Sequence, residues 1–122
     1  MCILDAEASS EQFSRANARH ADAMLLVVEP YFKSLESGRR MHLLAADLGV
    51  PRIAVLANKI RDEHDASVVR AFAAENGLEI AGLVPFDQAM LDADRVGQAP
   101  VDHAPDSPAV TAIGQLARSF VG

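Results

Sequence analysis

A three-layer α/β/α fold around a mainly parallel sheet is predicted by two features of the chain: short apolar runs, and amphipathic stretches of helical period placed between them. Residues 23–28 and 53–57 are apolar without interruption and too short for stable helices, so they read as strands buried on both faces; residues 78–84 supply a third. Strands that alternate with helices throughout imply parallel pairing through right-handed crossovers.

The elements follow in order. Residues 2–5 read as the tail of a strand that delivers Asp5 to the sheet edge, and residues 9–20 as a weak, mostly exposed helix or ordered loop with Ser10 as N-cap and Phe13 as its one large apolar residue. The 23–28 strand is ended by Glu29-Pro30. A helix over 32–48 carries Leu35, Leu44, Ala45 and Leu48 on one side, and Gly49 stands where a left-handed C-terminal residue belongs. After Asp62, Val68, Val69, Phe72 and Ala73 mark an amphipathic helix closed by Asn76-Gly77, and Pro85 ends the next strand. A shorter helix over about 87–96 buries Ala89, Met90 and Ala93, and a loop carrying Pro100 and Pro105 follows. The last helix has Ser107 as N-cap and Pro108 at its first position, with Val110, Ile113, Leu116, Ala117 and Phe120 on one face. No repeat or composition break divides the chain, so residues 1–122 are expected to form one domain.

Composition narrows the function. A net charge of -6, with Arg39-Arg40 as the one basic doublet, argues against an electrostatic grip on nucleic acid or on an anionic membrane. A single cysteine, Cys2, allows neither an internal disulfide nor a cysteine metal cluster. No apolar run approaches bilayer length and the N-terminus lacks a signal-peptide layout, so a soluble cytoplasmic protein is expected. His20, His42, His64 and His103 lack metal-ligand spacing and are assigned to the surface; Asp92 and Asp94 read as a solvated helix face. There is no Gly-x-Ser-x-Gly elbow for a nucleophilic serine.

In open α/β sheets ligands bind beyond the carboxyl ends of the strands, which brings forward Asn58 and Lys59, with Asp62 close behind. Asn58 offers an amide suited to a base edge; equally, it can close a turn by bonding nearby backbone. Asn58-Lys59-Ile60-Arg61-Asp62 resembles the guanine-reading Asn-Lys-x-Asp pattern, but Arg61 occupies the place of the discriminating acid, and Asn can serve the N6 donor and N7 acceptor of adenine. Pro85 and Phe86 offer an apolar wall for a base, or alternatively a strand end and core filler. Asp5 at a strand end suits a magnesium-bound water, or a turn cap. A phosphate loop is absent from these residues: the two lysines, Lys33 and Lys59, do not follow glycine, and Tyr31-Phe32 ahead of Lys33-Ser34 prevents a backbone cradle.

Several separated blocks, Asp5-Ala6-Glu7-Ala8, Val28-Glu29-Pro30, Ala57-Asn58-Lys59 with Arg61-Asp62, Val84-Pro85-Phe86-Asp87 and Asp106-Ser107-Pro108, resemble the C-terminal half of ParA/MinD-type ATPases. The match is nearest to the carbon monoxide dehydrogenase accessory (CooC-like) group that supports nickel insertion. The resemblance implies ATP or ADP with Mg2+ as cofactors in the complete fold, Asp5 in the switch near the metal, Asn58 reading adenine, Pro85 lining the base pocket, and a metalloenzyme client. It also implies a partial P-loop NTPase fold without the phosphate-loop strand, which in the family lies between the strands ending at Asp5 and Glu29. That gap leads to the expectation of self-association, or of pairing with a missing N-terminal segment or polypeptide. Two departures stand out: the family's Cys-x-Cys pair has no counterpart, and Ser9, Ser14 and Ala16 replace switch glycines. A non-catalytic α/β interaction module is the alternative. A flavodoxin-like or receiver-like domain is weaker, since Asp5 alone provides a strand-end acid there.

Overall fold

A computed structural model describes Ile3 and residues 20–121; the expected strand end bearing Asp5, and nearly all of the 9–20 segment, lie outside the described residues. Three strands, β1 (Met24–Val28), β2 (Ile53–Ile60) and β3 (Glu79–Pro85), form a parallel sheet in the order β1-β2-β3. Helix α1 (Phe32–Asp47) joins β1 to β2, α2 (Glu63–Glu75) joins β2 to β3, and α3 (Gln88–Arg95), α4 (Pro100–His103) and α5 (Pro108–Val121) follow. The register runs from Met24 opposite Ile53 to Val28 opposite Ala57, so the carboxyl ends of β1 and β2 are aligned.

The period-two alternation of the strands sorts the core into two layers. Leu26 and Val28 of β1, with Val55 and Ala57 of β2, face α1 and α2 and bury Met41, Ala45, Val69 and Phe72. Leu56 and Val84 point the other way, onto Ala109 and Leu116 of α5, with Leu25, Met90 and Phe120 packed at the margin. Both faces of β2 are thereby covered, which accounts for its unbroken apolar sequence. Val27 of β1 points to the α5 side but is 58% exposed, because α5 lies mainly over β3 and β2 and reaches β1 only at Leu25 among the described residues.

Glycines act where geometry requires them. Gly49 (φ 85°) and Gly77 (φ 65°) end α1 and α2 in the left-handed region, as their sequence positions predict. Gly38 is used differently: a Cβ there would stand 2.8 Å from Cγ1 of Val28, a side chain only 1% exposed, and 3.4 Å from the Phe72 ring. The missing side chain lets α1 settle on β1.

Asp87 is the busiest capping residue. Its Oδ1 accepts the Ala89 N–H at 3.0 Å, opening α3, and its Oδ2 accepts the Ala109 N–H at 3.0 Å, near the start of α5. The Ala109 bond, then the Ala89 bond, with Ser107 adding to them, hold its carboxyl below the ordinary aspartate range.

Three expectations are corrected. The buried face of α5 is Ala109, Ala112, Leu116 and Phe120; Ile113 is 40% exposed and Ala117 is also outside, because Asp87 captures Ala109 and turns the small alanine side inward. Pro100 does not sit in a loop but starts the short helix α4, where its missing N–H is no loss and Ala99 accepts the N–H of His103 at 2.9 Å. His42 is half-buried with Nδ1 enclosed and unpartnered among the described residues, whereas His20, His64 and His103 are exposed as expected.

Three substitutions have expected outcomes that follow from this packing. Gly38→Ala gains roughly 1 kcal/mol of helix propensity but incurs about 1–3 kcal/mol of overpacking, so urea denaturation should show net destabilisation. Gly114→Ala, whose Cβ would meet nothing nearer than Arg118 at 3.6 Å, should be neutral or stabilising. Asp87→Ala should lower the melting temperature at neutral pH. Because the folded-state pKa of Asp87 is depressed, its contribution is present above the unfolded-state pKa and is lost as pH falls through the folded one. Parallel melts from pH 7 to pH 3 should therefore show the difference between wild type and variant narrowing with acid.

Candidate functional site

The carboxyl ends of the three strands meet at one edge, and Asn58, Lys59, Pro85 and Phe86 gather there. β2 does not stop at Ala57. The ladder slips between Ala57 and Ile60, and Ile60 rejoins β3 opposite Pro85, where it accepts the Phe86 N–H at 2.9 Å. The slip is a bulge formed by Asn58 and Lys59, and Lys59 is in the left-handed region (φ 58°), uncommon for a residue with a side chain. Asn58 supports that conformation: its Oδ1 accepts the Lys59 N–H at 3.0 Å. The turn-forming role weighed from sequence is thus real, and it uses only the amide oxygen. The amide NH2 of half-buried Asn58 has no partner among the described residues.

Lys59 is held by charge. Its Nζ lies 2.8 Å from Oε1 of Glu29, the residue that follows β1, and the Glu29 N–H donates to Ser34 Oγ at 2.8 Å. The pair is half-exposed, so its stabilisation is at most about 1 kcal/mol; its effect is to fasten the two strand ends. Glu29 was not among the site residues chosen from sequence, yet the signal exists. It follows the apolar run of β1 as Asn58 follows that of β2, and aligned parallel strands place such residues side by side.

Asp62 has turned away from the edge to a structural duty. Its Oδ1 accepts the Asp65 N–H at 2.8 Å as the N-cap of α2, and Asp65 in return accepts the Arg61 N–H at 3.0 Å through Oδ2. Arg61 itself lies over the Phe86 ring, with Cζ 4.7 Å from the centroid. Phe86 is 37% exposed and Pro85 half-buried, so Phe86 is a ledge at the strand end, not a core filler.

The edge thus offers an unpaired amide, a cation already neutralised by Glu29, and an aromatic surface with a guanidinium over it. This set suits the face and edge of a planar heterocycle. Among the described residues there is no phosphate cradle at this edge, and no group of three or more His, Cys, Asp or Glu side chains that could bind a metal ion. Asp5, the expected magnesium residue, lies outside the described residues. An open groove of about 360 Å³ between α1 and α2, lined by Phe32, Leu35, Arg39, Val68 and Phe72, belongs to the helical layer and shares no residue with this edge. No described helix is long and apolar enough to cross a membrane.

No family model matches the chain. It is 40% identical over 96 residues, 79% of this chain and 37% of the relative, to an uncharacterized ATP-binding protein of Methanocaldococcus jannaschii. It is 33% identical over 105 residues, 85% of this chain and 39% of the relative, to the carbon monoxide dehydrogenase accessory protein CooC of Rhodospirillum rubrum. Among solved structures, the MinD cell division protein of Aquifex aeolicus superposes with a TM-score of 0.72 at 26% identity, over 84% of this chain and 44% of that one. The chain therefore spans less than half the length of the curated relatives it matches.

Proposed function

We propose that this chain, which corresponds to the C-terminal portion of a ParA/MinD-type ATPase of the CooC-like group, supplies the base-recognising side of an adenine-nucleotide site. The observation that carries the reading is the convergence of Asn58, Lys59, Pro85 and Phe86 on one sheet edge, with the Asn58 NH2 free to pair among the described residues. Asn58 reads the base, Phe86 and Pro85 give it an apolar wall, and Lys59 and Asp62 shape the bulge and helix start around it. In the complete fold the ligand is ATP or ADP with Mg2+, and Asp5 is the residue proposed to approach the metal. The phosphates need a glycine-rich loop that the 122 residues do not contain, so a second polypeptide segment must furnish it. The similarity to CooC supports a role in preparing a metallocentre, with nickel insertion into a metalloenzyme client as its specific form.

Binding by this chain should be weak and directed at the base. Titration calorimetry is expected to give similar affinities for adenosine and ATP, with Asn58→Ala abolishing both. Tight binding that depends on the triphosphate would contradict the assignment. No ATP hydrolysis above background is expected from the 122 residues; magnesium-dependent turnover lost in Asp5→Ala would show that they hold a complete catalytic site.

A second reading, a non-catalytic α/β interaction module, draws on the bare side of β1. Val27 is exposed there, and among the described residues β1 has a strand neighbour on one edge only. Strand addition by a second copy or another chain would complete the sheet. Light scattering behind size-exclusion chromatography should then show mass rising with concentration, and Val27→Lys should reduce it. A monomer at every concentration would count against assembly of copies through β1.

A further inference from the structure

Resting on the base-site reading, we propose that Arg61 is a specificity-determining residue, a donor-only group seated on Phe86 that admits adenine and rejects guanine. Three observations lead to it. The guanidinium lies 4.7 Å from the Phe86 ring centroid, on the side chain that forms the apolar ledge of the site. The main chains of both residues are pinned next to the Asn58 bulge, Arg61 by its N–H to Asp65 and Phe86 by its N–H to Ile60, so the stack stands on fixed backbone. The neighbouring charges are otherwise engaged: Glu29 holds Lys59, and Asp62 and Asp65 accept the backbone N–H groups of the α2 start. Among the described residues Arg61 forms no ion pair, and its position in the sequence is that of the acid in the guanine-reading pattern.

The chemistry of the two purines decides what such a group does. An arginine side chain offers five N–H donors and no acceptor. If Asn58 donates its free NH2 to N7 of adenine and accepts from N6 with the Oδ1 lone pair not used by the Lys59 N–H, the next ring position around the base is N1, an acceptor in adenine, to which Arg61 can donate. Guanine in the same orientation presents N1–H and a 2-amino group, both donors, so donors would face donors and the Arg61 contact would be lost. A site built to donate to a base acceptor loses that contact, and meets like donors instead, when the base presents N–H groups there. The Phe86 stack matters because it limits the guanidinium's freedom to swing away, and it makes the rejection a built element and not a passive gap.

The test is ligand-observed NMR titration of the chain with adenosine, purine riboside, inosine and guanosine, the first two with an N1 acceptor and the last two with an N1–H. Wild type should prefer the acceptor pair by about tenfold, the scale of one well-formed base contact. Arg61→Asp should lose or reverse the preference, Arg61→Lys should keep part of it, and Phe86→Leu should weaken it with the donors intact. Melting curves of each variant report that the fold survives. Adenosine binding that persists in Arg61→Asp with an unchanged adenosine-to-guanosine ratio overturns this role and leaves the base site standing. Failure of wild type to bind any nucleoside, or adenosine binding indifferent to Asn58→Ala, overturns the base site and this proposal with it.

Discussion

The carboxylate of Asp87 ties the starts of two helices to the end of β3. It stands two residues past β3, accepts one N–H at the start of α3 and another at the start of α5, twenty-two residues on. Each bond satisfies a helix-end donor that would otherwise need water. Together they place α5, the main cover of one sheet face, at a fixed height against the end of β3. Phe86 and Pro85 are its immediate neighbours, so the ledge of the candidate site and the packing of the far layer share one anchor. A parallel sheet survives only when both faces are covered. The orientation of that cover depends on an acid at the sheet's edge.

Much of this was legible in the chain. Apolar runs bounded by Glu29-Pro30, Gly49 with Pro51, and Pro85 mark strands that are present within a residue or so of the expected positions, save that β2 runs on to Ile60, and the glycines after α1 and α2 mark their ends. These signals are local: steric freedom of glycine, the missing N–H of proline, and burial on two faces. Leu116 and Phe120 lie on the expected α5 face, but Ile113 and Ala117 do not, because helical periodicity alone allows two adjacent stripes, one through Ile113 and Ala117 and one through Ala109 and Ala112. The larger side chains favoured the first stripe. The contact with Asp87 selects the second, and that contact lies in no local window.

The site divides along the same line. Asn58, Lys59, Pro85 and Phe86 follow from the rule that ligands gather beyond strand ends, and they do share an edge. That Asn58 would spend its oxygen on its own backbone, that Lys59 would adopt a left-handed conformation, and that Asp62 would cap α2 depend on how the strands slip past one another. Arg61 stands in the sequence where the guanine-reading acid would be, and its place over Phe86 depends on a contact between two strand ends that no local pattern shows.

The strand order carries a consequence for biosynthesis. Because β1, β2 and β3 lie side by side in the order they are made, each new strand can dock on the one before it through its intervening helix, so the α1 and α2 layer can assemble as the chain leaves the ribosome. The opposite face has no such timetable. Leu25, Leu56 and Val84 wait for Ala109 and Leu116, which are translated more than twenty residues after β3 is complete. During that interval the nascent sheet presents an apolar surface on the face that α5 will cover.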